Sequence, residues 1–155
     1  MKTAVYLSGP MTGIEDYNRE AFYEAEEKLA ALGFCVFNPA RKEVVPAKTW
    51  GEYIGEDLDT MDLMDERYNG QCVLVLLDGF EGSRGARHET LHAQILHWEI
   101  AGLKHFLREA KRNGIFALAE NLDTFNAADA ADDCANPDDS TGSESVTIQE
   151  TLDRR

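Results

Sequence analysis

Two acidic residues fall on helix faces whose other members are apolar. Glu89 lies three residues after Ala86 and four before Ala93 in one predicted helix. Asp57 follows Ile54 by three residues in another. Because an ionised carboxylate is costly to bury without a partner, acids at such positions usually have a specific role. The structural alternative is that each acid lies at the edge of its apolar face, where it caps a backbone group or pairs with an arginine.

A glycine-rich turn precedes the helix that carries Glu89. The turn reads Gly82-Ser83-Arg84-Gly85 and joins a predicted strand to a helix N-terminus, where free N–H groups and the helix dipole attract anions. The Ser83 hydroxyl and the Arg84 guanidinium are suitable donors to a phosphate or a carboxylate. An ordinary loop with a solvated arginine is the alternative interpretation.

The same helix also contains the pattern HExxH. His88 and His92 flank Glu89 and Thr90-Leu91, as in zinc peptidases, where both histidines bind the metal and the glutamate activates water. No third ligand has the usual spacing, and the three cysteines form no CxxC pair. We therefore expect no metal and no other cofactor, and keep a zinc-dependent hydrolase with His88 and His92 as ligands as an alternative.

Apolar periodicity predicts strands alternating with helices. Strands are predicted at 5–7, 34–37 and 73–77, and helices at about 17–32, 50–61 and 86–101. Residues 49–52 fit a capping box, and Gly33 fits a left-handed helix end. A further strand is predicted at 103–107 or at 115–118, with a helix at 108–113.

This order predicts an α/β fold, Rossmann-like or flavodoxin-like, with a doubly wound, mainly parallel sheet of about five strands. Ligands of such sheets bind beyond the carboxyl ends of the strands. The loops predicted to line the site are 8–13, 38–41 and 78–89. Their candidate substrate contacts are Ser8, Gly9, Pro10, Met11, Asn38, Asp78, Ser83, Arg84 and Gly85.

Composition limits the domain organisation and the partners. The 155 residues, 43% of them hydrophobic, suffice for one domain at 1–125. Residues 126–155 contain few large apolar groups, and we expect an acidic, disordered tail. A net charge of −14 argues against duplex nucleic acid as a partner.

Neither a membrane span nor a signal peptide is predicted. No run approaches the roughly 18 apolar residues of a membrane span, and the first residues lack the apolar length of a signal peptide. We therefore expect a cytoplasmic protein. The helix at 86–101 has apolar residues on more than one side, which favours a homodimer or higher homo-oligomer, with Ile95 and Trp98 as candidate contacts.

Four segments, taken in order, resemble a known family. They read YLSGPMTG at 6–13, NPA at 38–40, DL at 57–58 and SRGARHE at 83–89. This combination resembles a phage and bacterial domain family of unknown function, allied to nucleoside 2-deoxyribosyltransferases and 2′-deoxynucleoside 5′-monophosphate N-glycosidases. The resemblance covers about residues 2–103.

The resemblance implies a role for each matching residue. Glu89 matches the nucleophile that attacks the anomeric carbon, and Asp57 matches the acid that contacts the base and assists its departure. Tyr6 and Gly9 match the loop beside the sugar, and Tyr6 joins Glu89 and Asp57 as the third candidate catalytic residue. Ser83 matches a phosphate-binding serine of the monophosphate hydrolases, which favours a 5′-phosphorylated substrate.

The residue types agree with cleavage or transfer at an N-glycosidic bond. A carboxylate can stabilise an oxocarbenium-like state or trap it covalently, and a second, protonated acid can assist the leaving base. The sequence departs from the family at Leu91, where a glycine is usual. A non-catalytic nucleotide sensor that binds the same nucleoside or nucleotide is the other alternative.

Overall fold

A computed structural model describes residues 3–113 as an α/β fold built on an open, all-parallel sheet. Its strands are β1 (Ala4–Ser8), β2 (Cys35–Phe37), β3 (Cys72–Leu76) and β4 (Glu99–Gly102), in the order β2-β1-β3-β4. The helices are α1 (Arg19–Ala30), α2 (Trp50–Tyr68), α3 (Arg84–Ile95) and α4 (Leu103–Arg112). Short 3₁₀ turns span Glu15–Asn18, Pro39–Arg41 and Phe80–Gly82. The predicted Rossmann-like fold class is confirmed.

The strand order places a switch point between β1 and β3. The chain leaves β1 for β2 on one side and later returns to form β3 on the other. Loops therefore diverge at the carboxyl ends of β1 and β3, which opens the crevice where ligands of doubly wound sheets bind.

Each face of the sheet is covered by two helices. Alternate residues of a strand point to opposite faces, and in β1 Val5 and Leu7 pack with α1 and α4. Tyr6 packs on the other face, with residues of α2 and α3. Ser8, two residues further along β1, therefore points toward α2 and α3 as well.

Two helix boundaries form as the sequence predicts. The Glu52 backbone N–H donates to the Thr49 hydroxyl at 3.3 Å, and the Thr49 N–H donates to the Glu52 carboxylate at 2.7 Å, which completes the capping box of α2. Gly33, with φ of +85°, follows α1 in the left-handed conformation expected there.

The predictions for residues 96–107 are wrong. The third helix ends at Ile95 rather than near 101, residues 99–102 form β4, and 103–107 belong to α4 rather than to a strand. His97 causes the change, because its left-handed φ of +59° turns the chain out of the helix. Trp98 then enters the core, where its indole N–H donates to Asp65 Oδ1 at 2.7 Å.

Residues 3–113 contain four strands, where about five were predicted. The alternative strand at 115–118, the domain boundary at 125 and the tail at 126–155 lie outside the described residues. No helix in the described part of the chain is both long enough and apolar enough to cross a membrane.

Gly9 allows β1 and β3 to end close together, and its replacement tests that packing. A Cβ atom on Gly9 would lie 2.9 Å from Leu77 Cβ and 3.4 Å from Phe22 Cζ. We expect Gly9→Ala to lower the free energy of unfolding by about 1–3 kcal/mol, because these core atoms must shift. Urea unfolding measures this.

Gly55→Ala is the matched control, since no atom lies within 4 Å of a Cβ built at that position in α2. Alanine should raise helix stability there by up to about 1 kcal/mol. A Gly9→Ala protein as stable as the wild type would contradict the close packing.

Candidate active site

The carboxyl group of Glu89 is buried against β1. The Tyr6 hydroxyl donates to Glu89 Oε1 at 3.2 Å, and the Ser8 hydroxyl donates to Glu89 Oε2. Glu89 is 5% exposed, and Tyr6 and Ser8 are fully buried. Because Tyr6 and Ser8 are two residues apart in a strand, they present their hydroxyl groups on the same face, toward α3.

Asp57 approaches the same tyrosine from α2. The Tyr6 hydroxyl, which donates to Glu89, also lies near enough to Asp57 for each of the two groups to shift the pKa of the other. Lys42 Nζ lies 3.0 Å from Asp57 Oδ1, and the two side chains are only 19% and 17% exposed. The structure thus brings together the three predicted catalytic residues and adds a lysine that the sequence analysis did not find.

Burial changes the ionisation of both acids. It raises the pKa of Glu89 to about 7, and the negative charge of Asp57 adds to this, whereas hydrogen bonds from Ser8 and Tyr6 and the charge of Lys42 oppose it. Burial also raises the pKa of Asp57, against the opposing effect of the Lys42 ammonium group. Near neutral pH, Glu89 therefore exists in both forms.

A capped turn positions Lys42. Asn38 Oδ1 accepts from the Ala40 N–H at 2.9 Å, and Asn38 Nδ2 donates to Glu26 Oε2 at 2.7 Å. Arg19 donates to the Lys42 carbonyl at 3.4 Å. Asn38, predicted to contact substrate, thus fixes the 3₁₀ turn that leads into Lys42.

Ser83 links two of the predicted loops. Its hydroxyl accepts from the Ala86 N–H at 3.2 Å, which caps α3, and donates to the Gly9 carbonyl at 3.4 Å. Arg84, next in sequence, is exposed, and its guanidinium lies 3.8 Å from the centre of the Trp50 ring. Gly85 follows in the first turn of α3.

The other predicted contacts lie apart from the buried acids. Asp78 is 80% exposed and pairs with Lys104 at 2.5 Å. The Pro10 carbonyl accepts from Asn18 at 3.0 Å. Met11 packs against the core on the α1 side of the sheet, opposite the face that carries Glu89.

The two histidines of the HExxH pattern do not form a site with Glu89. His88 Nδ1 lies 2.8 Å from the Arg84 carbonyl, and its ring meets Trp50 edge-on at 5.4 Å. His92 Nε2 contacts Asp62 Oδ1 at 2.8 Å. Within residues 3–113, no three His, Cys, Asp or Glu side chains are grouped so as to hold a metal ion. This arrangement gives no support to the zinc alternative.

The raised pKa of Glu89 predicts how stability depends on pH. Between the ordinary value of 4.5 and about 7, the unfolded chain loses this proton and the folded chain keeps it. The free energy of unfolding should therefore fall as pH rises through this window, by about 3 kcal/mol in total. Glu89→Gln removes that ionisation, so it should gain stability relative to the wild type between pH 5 and pH 8.

Urea unfolding at pH 5 and pH 8 measures the difference. Glu81→Gln, at an exposed position in the loop before α3, is the matched control and should follow the wild type at both values. Parallel pH profiles for Glu89→Gln and the wild type would contradict the burial of an ionisable group at this position.

Comparison with known families gives one match. A family model described as "Domain of unknown function (DUF4406)" matches residues 3–101, which include every residue of the site described above. No curated protein and no solved structure matches the chain significantly. Since the match covers more than half of the sequence, the chain belongs to the DUF4406 family.

Proposed function

We propose that this protein cleaves or transfers at the N-glycosidic bond of a 2′-deoxynucleoside or a 2′-deoxynucleoside 5′-monophosphate. The observation that carries the proposal is the buried Glu89 carboxyl, held by Tyr6 and Ser8 while Asp57 contacts the same tyrosine. Glu89 is the nucleophile that attacks the anomeric carbon. Asp57 assists the departing base.

The closeness of the two acids supports this division of roles. Asp57 lies near enough for its charge to raise the pKa of Glu89, and both acids act on the Tyr6 hydroxyl. Two neighbouring acids can supply one nucleophile and one acid that assists the leaving group.

Ionisation supports it as well. A nucleophilic carboxylate must be deprotonated, and an acid that assists a leaving base must hold a proton. Burial keeps one proton available in this cluster near neutral pH, since it raises the pKa of Glu89 to about 7. The site thus has the charge state needed for one acid and one nucleophile.

Two features favour a 5′-phosphorylated substrate. The N-terminus of α3 and the Ser83 hydroxyl lie beside the Gly9 carbonyl, at the carboxyl end of β1. Arg84 is exposed at that helix start and supplies a cation. In this proposal the Ser83 hydroxyl turns from the Gly9 carbonyl to donate to the phosphate, Arg84 pairs with it, and Gly85 leaves the backbone open to it.

The kinship with deoxyribosyltransferases and N-glycosidases is part of the proposal. It rests on the order of the matching residues, Tyr6 to Gly9, Asp57 and Glu89, and is supported by their meeting at one place in the fold. The position beyond β1 and β3, at the switch point, is where a nucleotide is expected to bind.

Self-association is also proposed, with a second copy of the chain as the partner. Leu91 and Ile95 of α3 are 60% and 70% exposed, whereas Trp98, the other predicted contact, is buried within its own chain. Sedimentation velocity of the wild type tests this, and a mass of one chain at micromolar concentration would contradict it.

Chromatography of a panel of deoxynucleosides and deoxynucleotides tests the reaction. We expect the wild type to release free base, and Glu89→Ala to lose at least about a thousandfold in turnover, because the nucleophile is gone. The kcat/KM should fall as the pH rises through about 7, because the cluster then loses the proton that assists the departing base.

Glu27→Gln, at an exposed position of α1 on the opposite side of the sheet, is the control for turnover and should retain the wild-type value. Adding a free acceptor base distinguishes transfer from hydrolysis. Equal turnover by Glu89→Ala and the wild type would remove Glu89 from its role. Tight binding of a panel member with no turnover of any would contradict the enzyme and favour the nucleotide sensor.

A further inference from the structure

The Tyr6 hydroxyl faces two acids but carries a single hydrogen. It lies 3.2 Å from Glu89 Oε1 and also contacts Asp57. Tyrosine can donate one hydrogen bond and accept others. If both acids were ionised, one of them would face the tyrosine oxygen with no hydrogen between them. The arrangement is satisfied when one acid carries a proton and donates it to Tyr6 while Tyr6 donates to the other. Tyr6 therefore donates to Glu89 only while Glu89 is ionised.

Lys42 distinguishes the two acids. Its ammonium group lies 3.0 Å from Asp57 Oδ1, and both side chains are mostly buried, so solvent screens their attraction weakly. Direct contact with a cation favours the ionised form of Asp57. The direct partners of Glu89 are the neutral hydroxyl groups of Tyr6 and Ser8.

We propose that Lys42 is a positioning residue that fixes the shared proton of this cluster on Glu89 in the resting site, and that Tyr6 is the path by which the proton reaches Asp57. The catalytic role of this proton transfer rests on the proposed function, whereas the location of the proton on Glu89 does not.

The step balances without an added reactant. The O–H bond of protonated Glu89 breaks as Tyr6 accepts that proton, and the O–H bond of Tyr6 breaks as its own proton passes to Asp57. Glu89 becomes the carboxylate needed for attack, and Asp57 becomes the acid needed by the base. A bound nucleobase whose acceptor atoms draw the Lys42 ammonium group away from Asp57 would start this transfer.

Other charges around the cluster do not replace Lys42. The negative charge of Glu56 raises the pKa of Asp57, whereas the positive charge of Lys42 lowers it. Lys48 also lies within reach of the Asp57 charge, but it forms an ion pair with Glu56. The charged or titratable groups of the described chain that act on Glu89 are Tyr6 from β1, Asp57 from α2 and Lys42 from the segment after β2. Burial accordingly leaves the pKa of Glu89 at about 7.

Carbon-13 NMR titration of the side-chain carboxyl groups locates the proton directly. In the wild type, we expect the Glu89 carboxyl carbon to titrate near pH 7 and that of Asp57, which contacts Lys42, to titrate at a lower pH. In Lys42→Met, the near-neutral titration should move to Asp57, because the cation that favours its ionised form is gone. Lys42→Arg keeps the cation and should retain the wild-type pattern. Glu89→Gln and Asp57→Asn assign the two signals.

A near-neutral titration that stays on Glu89 in Lys42→Met would overturn the role of Lys42. A wild-type protein in which neither carboxyl titrates above pH 6 would overturn the shared proton. Circular dichroism of each variant confirms that it is folded, and Lys42→Arg provides the comparison for any local repacking.

Turnover tests the path through tyrosine. Tyr6→Phe should lower kcat by about tenfold or more while the carbon of Glu89 still titrates at or above its wild-type midpoint. An unchanged kcat in Tyr6→Phe would overturn the path. The titration needs no turnover, so its outcome stands even if no free base is released from any nucleotide. Failure of the proposed function is therefore distinguishable from failure of this inference.

Discussion

The site depends on one buried interaction, the Glu89 carboxyl held between the Ser8 and Tyr6 hydroxyl groups. An ionisable group in the interior is unfavourable unless its polar atoms are bonded, and two neutral hydroxyl groups bond them without fully compensating the charge. The result is a carboxyl group whose oxygens are hydrogen-bonded and whose pKa lies at about 7 rather than far below it, so it can gain or lose a proton near neutral pH.

The helix pair that carries the acids is held by contacts on its outer side. Arg84 stacks on Trp50, and His92 contacts Asp62, so each contact joins α3 to α2. These contacts fix the separation of two helices whose inner faces carry Glu89 and Asp57. The histidines that suggest a zinc site in the sequence thus have a structural explanation, since one joins the Trp50 cluster and the other bridges the helices.

Much of this could be predicted from the sequence, because helical periodicity records which face of a helix is inward. Glu89 and Asp57 interrupt apolar faces, and a buried strand before the glycine turn gives the direction of the crevice. Lys42 could not be found in this way, since it lies in an irregular segment after a 3₁₀ turn and no periodicity marks its direction. Its only signal is the Asn38-Pro39 turn that precedes it.

Errors in the prediction have physical causes of the same kind. His97 ends α3 by adopting a left-handed conformation that glycine or asparagine usually occupies, so the residue type at this position does not indicate a turn. Asp78 lies at the carboxyl end of β3 as expected, but a position at the sheet edge does not determine where a side chain points, and it pairs with Lys104 at the surface. Of the residues chosen by loop, Ser8 contacts Glu89, whereas Asp78 points to the surface.

Mass spectrometry of the acid-quenched protein after incubation with a 2′-deoxynucleoside 5′-monophosphate tests the central claim most directly. The account predicts a mass increase equal to one deoxyribosyl 5′-phosphate group, or one deoxyribosyl group for a nucleoside, located by fragmentation on the peptide that contains Glu89. Either of two results would contradict it. One is release of free base with the sugar attached to another residue, and the other is formation of the same adduct by the Glu89→Ala protein.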